Sequence, residues 1–243
     1  MIGFLRKMRR NLLSQNKLGK YLLYAIGEVI LVVIGILIAV QINNLNEDKK
    51  LKNQLETYKI SLKQELNEDL EALNELKSSL SKKRSSILEY VGYYNSENPN
   101  IKILTEKLDG VNSSKDVFYS NTYTIEDLIT TGNLSLFSKE IKTAILKLKN
   151  IQERYSFHET QTIANIIQYD LELKKHTDLL FMNGYSRKEH IDVANWKNDL
   201  NSTQFRIINN TLAESLKLYE FQKSIYEDIQ RETEDLLENL NKY

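Results

Sequence analysis

The longest uninterrupted apolar stretch of the chain lies near its N-terminus. Residues 21–40 read YLLYAIGEVILVVIGILIAV, in which Glu28 is the only acidic or basic side chain. Twenty residues of α-helix span about 30 Å, which matches the hydrocarbon core of a bilayer. The pattern therefore predicts a transmembrane helix, which we take as residues 21–42.

Beyond this segment, apolar residues recur at steps of three and four, which is typical of amphipathic helices. The first stripe predicts a helix that continues from the membrane segment as far as Asn98-Pro99. Its apolar positions are Leu51, Leu55, Tyr58, Leu62, Leu66, Leu73, Leu76, Leu80, Ile87, Val91 and Tyr94.

Two further long helices follow from the same kind of pattern. Ser138 can cap a helix from residue 139 to about residue 181, with an apolar stripe that ends at Ile167 and Leu171. Asn201 and Gln204 can open a last helix that runs to the C-terminus.

Shorter elements connect the long helices. Residues 101–108 predict a short helix, and Thr124 has the chemistry to cap another that Gly132 ends. Residues 111–123 and 183–201 are rich in polar residues and predict loops, the second with at most one helical turn.

Composition agrees with a helical fold. The 243-residue chain has one proline, eight glycines and 27% charged residues, which leaves few helix breaks and many solvated positions. We predict an all-α protein in which three long helices and several short ones form an up-down bundle. The expected organisation is a basic tail over residues 1–20, the membrane helix, and a helical domain over residues 43–243.

Charge is distributed unevenly and predicts the orientation. Residues 1–20 contain six basic side chains and no acid, namely Arg6, Lys7, Arg9, Arg10, Lys17 and Lys20. Lysine and arginine concentrate on the cytoplasmic side of a membrane segment, so the N-terminus is expected in the cytoplasm and the domain in the periplasm, at the inner membrane. Beyond residue 40 there are 27 basic and 32 acidic side chains, which argues against nucleic-acid binding.

Two alternatives to an uncleaved signal-anchor are a buried helix of a soluble protein and a cleaved secretory signal. A signal has a shorter apolar region, of about 7 to 15 residues, and Ala39-Val40-Gln41 is a poor cleavage site. The chain contains no cysteine, so neither a lipid attached to cysteine nor a disulfide is available.

One face of the membrane helix carries Glu28, Gly35 and Ala39, which fall within about 40° of each other at 100° per residue. The small pair Gly35 and Ala39 allows two helix backbones to approach closely. The face is a candidate for association, either with a second copy or with another membrane protein. The alternative is that small residues are common in such helices and that Glu28 extends to the interface.

Chemical motifs are missing from the rest of the sequence. His158, His176 and His190 match no metal-binding spacing, although Glu172 and His176 are four residues apart. Phosphate-binding loops and a nucleophile elbow are also not found. We therefore expect no metal, no cofactor and no enzymatic activity.

Two polar regions have alternative interpretations. The acidic cluster Glu65, Glu68, Asp69 and Glu71 is flanked by lysines and is interpreted as a solvated face, with a catalytic carboxylate pair as the alternative. Among the fourteen tyrosines, most can pack helix interfaces, but residues 117–123 lie on a predicted loop and are a candidate recognition segment.

The start of the chain resembles a known bacterial family. Residues 4–47, FLRKMRRNLLSQNKLGKYLLYAIGEVILVVIGILIAVQINNLNE, are similar to the opening of domain-of-unknown-function family 6090, and TIEDLITTGNLSLF at 124–137 resembles a central segment of it. Leu45 departs from the family pattern, which has an aromatic residue there. The resemblance implies a single-pass membrane protein and no known activity.

Three functions remain open from the sequence. The first is an interaction or scaffolding protein that contacts the lipid bilayer and binds a protein partner, or a second copy, through the membrane helix and the bundle. The second is a sensory input module that relays ligand binding to a separate membrane partner. The third is an enzyme, which no residue pattern supports.

Overall fold

The structure is a computed structural model that describes residues 18–242. The predicted basic tail therefore lies outside the described residues, apart from the helical backbone of residues 18–20. The chain divides between Thr57 and Tyr58 into two compact units, which are described separately below.

The described residues form six α-helices and contain no β-strand, which confirms the predicted all-α class. The helices are α1 Leu18–Tyr94, α2 Ile101–Asp109, α3 Tyr123–Thr130, α4 Lys139–Lys175, α5 Leu179–Met182 and α6 Thr203–Lys242. Single 3-10 turns lie at Asn133–Leu136 and Trp196–Asn198. The predicted continuation of the apolar segment into a long amphipathic helix is also confirmed, since α1 is one helix of 77 residues that ends at Tyr94, shortly before Asn98-Pro99.

The first unit contains the apolar part of α1. Between Leu22 and Val40, thirteen large aliphatic side chains are each 47–78% exposed. Among residues 18–242, one helix is long and apolar enough to cross a membrane, and it is this one. An uncovered apolar surface of this size is rare in soluble proteins.

The second unit has a core formed by α1, α4 and α6. Each helix presents apolar side chains to this core at steps of three and four. The core includes Leu62, Leu66, Leu73 and Ile87 from α1, Ile141, Ile145, Leu148 and Ile166 from α4, and Phe205, Leu212, Ile225, Leu236 and Leu240 from α6.

The three long helices of this bundle do not alternate in direction, as the predicted up-down arrangement would require. Lys77, Arg84 and Tyr90 of α1 bond to Gln230, Glu220 and Asn209, so α1 and α6 are antiparallel. Lys147, Tyr155 and Glu159 of α4 bond to Glu232, Asp228 and Gln222, so α4 is also antiparallel to α6. The up-down prediction is wrong because α1 and α4 run in the same direction and need a long connection between them.

Residues 111–122 provide most of that connection, and we call them the return segment. Asn112, Asp116 and Asn121 bond in turn to Ser86, Ser79 and Asp69 of α1. As residue numbers rise along the segment, the residue numbers of its partners in α1 fall, so the segment runs antiparallel to α1. It has no regular secondary structure. This is the crossover connection that a bundle with two neighbouring parallel helices requires.

Several predicted ends were wrong by a few residues. The helix from residue 139 ends at Lys175, because Asp178 accepts hydrogen bonds from the N–H groups of Leu180 and Phe181 and starts α5 instead. Ser202 rather than Asn201 or Gln204 caps α6, through a bond from the Phe205 N–H. Ile167 and Leu171 were expected in the core but are more than 40% exposed.

Candidate functional site

The three residues of the predicted association face lie on the exposed part of α1. Glu28, Gly35 and Ala39 are all exposed. A methyl group added at Gly35 would meet no atom within 4 Å. The face is therefore open in the single chain, and its association stays a prediction.

In the second unit, the return segment is held by side chains from the neighbouring helices. Buried backbone groups that lack a helix or sheet ladder need other hydrogen-bond partners. Asp69 of α1 accepts the Asn121 N–H at 2.8 Å, and Lys83 donates to the Ser114 carbonyl at 3.2 Å. Lys83 also forms an ion pair with Asp116, which lowers the pKa of that carboxyl.

Helix α6 holds the same segment from the other side. The Tyr219 hydroxyl donates to the Ser114 carbonyl at 3.0 Å, and Gln222 Nε2 donates to the Asp116 carbonyl at 2.7 Å. Both Tyr219 and Gln222 are almost completely buried. These four side chains thus serve as partners for a non-helical backbone.

The acidic cluster on α1 belongs to this arrangement. Glu65 accepts bonds from the backbone N–H and the hydroxyl of Thr124, so it supplies the N-terminal cap of α3. Thr124 was expected to cap α3 itself, which is wrong, since Thr122 is the cap residue and makes no side-chain cap bond.

Asp69 is the most buried member of the cluster, at 1% exposure, and its Oδ2 atom has no partner among the described residues. Burial raises its pKa to about 6, the Asn121 N–H opposes that rise, and repulsion from Glu65 and Glu68 adds to it. The interpretation of the cluster as a solvated face is therefore wrong for Asp69.

A cavity of about 160 Å³ lies where the return segment meets α4 and α6. Aromatic and aliphatic side chains form much of its lining, and Gln152 and Glu159 are the amide and carboxyl groups among them. The lining residues are Phe118, Tyr119, Ser120, Gln152, Tyr155, Ser156, Glu159, Ile225, Tyr226 and Ile229. The predicted recognition segment, residues 117–123, contributes three of these residues.

Glu159 is 4% exposed and lies within a set of neutral donors. Its Oε1 atom accepts Gln222 Nε2 at 2.6 Å and the Tyr226 hydroxyl at 2.9 Å. Burial raises the pKa of Glu159, and the two hydrogen bonds lower it by less. Burial also raises the pKa of Tyr226, which keeps its hydroxyl protonated as the donor.

Gln152 lies one helical turn from Tyr155 on the same lining and is 6% exposed. Neither atom of its amide has a hydrogen-bond partner within the described chain. Leaving a buried amide unpaired costs roughly 1 to 3 kcal/mol. The burial of Gln152 therefore destabilises the fold unless a further molecule bonds to its amide.

The cavity adjoins a wider groove of about 420 Å³ on the surface, which shares Ser120, Gln152 and Ser156 with it. In the groove, Lys149 forms ion pairs with Glu126 and Glu153. The shared residues show that the groove and the cavity adjoin each other.

The sequence pattern did not single out Gln152, Glu159 or Gln222. A signal was present, because Gln152 and Glu159 continue the three-and-four spacing of Leu148 and Tyr155 on the core face. Polar residues at core positions mark either a buried network or a site.

The histidines are not brought together. His176 lies 3.2 Å from Glu172, as their spacing predicts, and His190 is 3.5 Å from Asp192. Within residues 18–242 no three His, Asp or Glu side chains are grouped as metal ligands.

Replacing Asp69 by asparagine tests the buried carboxyl. Asparagine keeps an oxygen that can accept the Asn121 N–H but removes the buried charge. We expect the free energy of unfolding of the detergent-solubilised variant, relative to the wild type, to be about 2 to 3 kcal/mol higher at pH 7 than at pH 4, from the pKa shift of about two units. A raised pKa destabilises the folded wild type as pH rises from about 4 to about 6. The difference between the variant and the wild type should therefore stop changing below about pH 4.

The exposed Glu71 of the same cluster provides the control. Glu71→Gln should change the unfolding free energy by less than about 0.5 kcal/mol at every pH. Chemical denaturation between pH 4 and 8 measures both variants. A gain for Asp69→Asn that is independent of pH would contradict the assignment.

Comparisons with known proteins agree with the resemblance seen at the start of the chain. The model of DUF6090, a family of unknown function, matches residues 28–179, which is more than half of the chain. The match includes the return segment and all of α4, whereas α6 lies beyond it. Searches of curated proteins and of solved structures find no match. The chain belongs to DUF6090, a family whose function is not known.

Proposed function

We propose that this protein is a single-pass membrane protein that acts as an interaction or scaffolding protein, with its N-terminus in the cytoplasm and its helical body in the periplasm. The observation that carries the proposal is the exposed apolar surface of α1 between Leu22 and Val40. No catalytic activity is assigned.

The energetics favour insertion of this segment. At roughly 0.3 to 0.6 kcal/mol per large aliphatic residue, thirteen such residues favour transfer into the bilayer by roughly 4 to 8 kcal/mol. A carboxylate near the centre of a membrane helix costs roughly 3 kcal/mol. The apolar residues therefore outweigh Glu28.

Interaction is supported at two places. The face of Glu28, Gly35 and Ala39 is open in the single chain, and small residues suit close helix packing. In the helical body, an exposed apolar set lies on and after α5. It comprises Leu179, Leu180, Phe181, Met182, Tyr185 and Ile191, of which Tyr185 and Ile191 are more than 80% exposed. Apolar clusters of this kind are typical of protein-binding surfaces.

A second candidate, a sensory input module that relays ligand binding to a membrane partner, is favoured by the cavity beside Gln152 and Glu159. The two candidates share the anchor and differ in whether the body binds a small molecule.

The orientation can be measured by cysteine labelling, because the natural chain contains no cysteine. Single substitutions Ser14→Cys and Lys188→Cys place one thiol on each side of the proposed span. In cells with a permeabilised outer membrane, a membrane-impermeant maleimide should label Lys188→Cys, whereas Ser14→Cys should react only after lysis. Labelling of both before lysis, or a mature chain that lacks residue 14, would contradict the proposed anchor.

The association face can be tested with a matched pair of glycines. Gly35→Ile and Gly27→Ile add the same side chain, and an added methyl meets no atom within 4 Å at either position. Gly27 lies roughly 100° around the helix from Glu28. In a membrane association assay, Gly35→Ile and Glu28→Ala should lower the signal at least threefold, while Gly27→Ile should not. Equal signals for all of them would remove this face as an interaction site.

A further inference from the structure

The cavity beside the return segment has the chemistry of a binding site for a cation. Its lining holds one carboxyl, Glu159, and four aromatic rings, whereas no lysine or arginine of the described chain lines it. Aromatic faces attract ammonium groups through their quadrupole, and a carboxylate attracts them by charge. An anionic ligand would face Glu159 with no cation in the lining to offset the repulsion, since Arg154, whose guanidinium lies 5.3 Å from the centre of the Tyr155 ring, is not among the lining residues.

Glu159 itself lacks a charged partner. The described residues form no ion pair with it, and both of its hydrogen bonds come from the neutral groups of Gln222 and Tyr226. Buried carboxyls are usually paired with a cation, because burying an isolated charge is costly. Burial accordingly raises the pKa of Glu159, and a bound cation would favour its charged form.

Gln152 supplies an independent indication of a ligand. Its amide is buried on the same lining, and neither its donor nor its acceptor is used within the described chain. A purely apolar ligand would leave both groups unpaired. A molecule with a cationic head and an apolar body could pair with Glu159 and cover Phe118 and Ile229. A bond to Gln152 would require its amide, whose two polar atoms are covered by the surrounding protein, to turn toward the cavity.

The volume limits the size of the ligand. An apolar cavity of about 150 Å³ can hold a molecule the size of benzene. The cavity of about 160 Å³ therefore suits roughly six to eight non-hydrogen atoms.

We propose that this cavity binds a small organic amine, with the protonated nitrogen at Glu159 and the apolar part among Phe118, Tyr226 and Ile229. The site lies wholly in the second unit, and its occupation goes beyond the proposed interaction role. It would give the helical body a ligand of defined charge and size.

Cyclohexylamine and cyclohexanol are matched probes, since they have the same ring and differ in the charged group. Isothermal titration calorimetry with the detergent-solubilised full chain measures their binding. We expect cyclohexylamine to bind at least tenfold more tightly than cyclohexanol. Equal affinities, or no heat from the amine at millimolar concentrations, would overturn the proposal.

Glu159→Gln removes the charge while retaining an oxygen that can accept the bonds from Gln222 and Tyr226. It should lose the tenfold preference for the amine. Glu140→Gln makes the same charge change on α4, at an exposed position outside the cavity, and should keep the preference. A purely structural role of Glu159 would leave the selectivity unchanged in both variants.

Ser156→Phe provides a test that does not alter Glu159, in case Glu159→Gln fails to fold. Ser156 is exposed and borders both the cavity and the groove, so a phenyl group there should block entry. Circular dichroism confirms that the variant remains helical. We expect the affinity for cyclohexylamine to fall at least tenfold. Unchanged affinity in the folded variant would show that the amine binds elsewhere.

Discussion

The backbone of the return segment imposes the main constraint on the helical body. Residues 111–122 run between long helices without a ladder of their own, and side chains of α1 and α6 bond several of their N–H and carbonyl groups instead. Lys83, Tyr219 and Gln222 reach carbonyls, and Asp69 reaches an N–H. Without these bonds, the chain could not return along α1 to begin α4 in the same direction.

The same constraint explains the burial of Asp69, Lys83 and Gln222, whereas Thr211, Ser215 and Thr233 bond to carbonyls of their own helix. Side chains that hold a backbone segment must be buried with it, and buried polar groups are stable only when bonded. Lys83 and Asp116 satisfy each other, and Glu65 caps α3. Asp69 Oδ2 and the Gln152 amide have no hydrogen-bond partner within the described residues, so their burial destabilises the fold.

Much of the architecture was predictable from the spacing of apolar residues. The apolar segment and its amphipathic continuation give one helix to Tyr94, and Ser138 starts α4 as its side chain suggests. Such features depend on local periodicity and capping, which a single sequence displays. Helix ends were harder, since Asp178 begins a new turn after α4 although the apolar residues continue.

The direction of α4 and the candidate cavity could not be predicted in the same way. Both depend on pairs distant in sequence, such as Asp69 with Asn121 and Glu159 with Gln222. From the sequence, Asp69 belongs to an acidic patch between lysines, and only its neighbour in space shows that it is buried. The local signs of the site were the tyrosine-containing segment 117–123 and the polar residues Gln152 and Glu159 at core spacing.

Hydrogen exchange of the Asn121 amide tests most directly whether side chains hold the return segment. Its N–H is bonded only through Asp69 and not through any helix. If the bond is as described, this amide should exchange about as slowly as amides in α4, and Asp69→Ala should accelerate it at least a hundredfold. Exchange of the wild-type amide at the rate of an unstructured peptide would show that the segment is not held in this way.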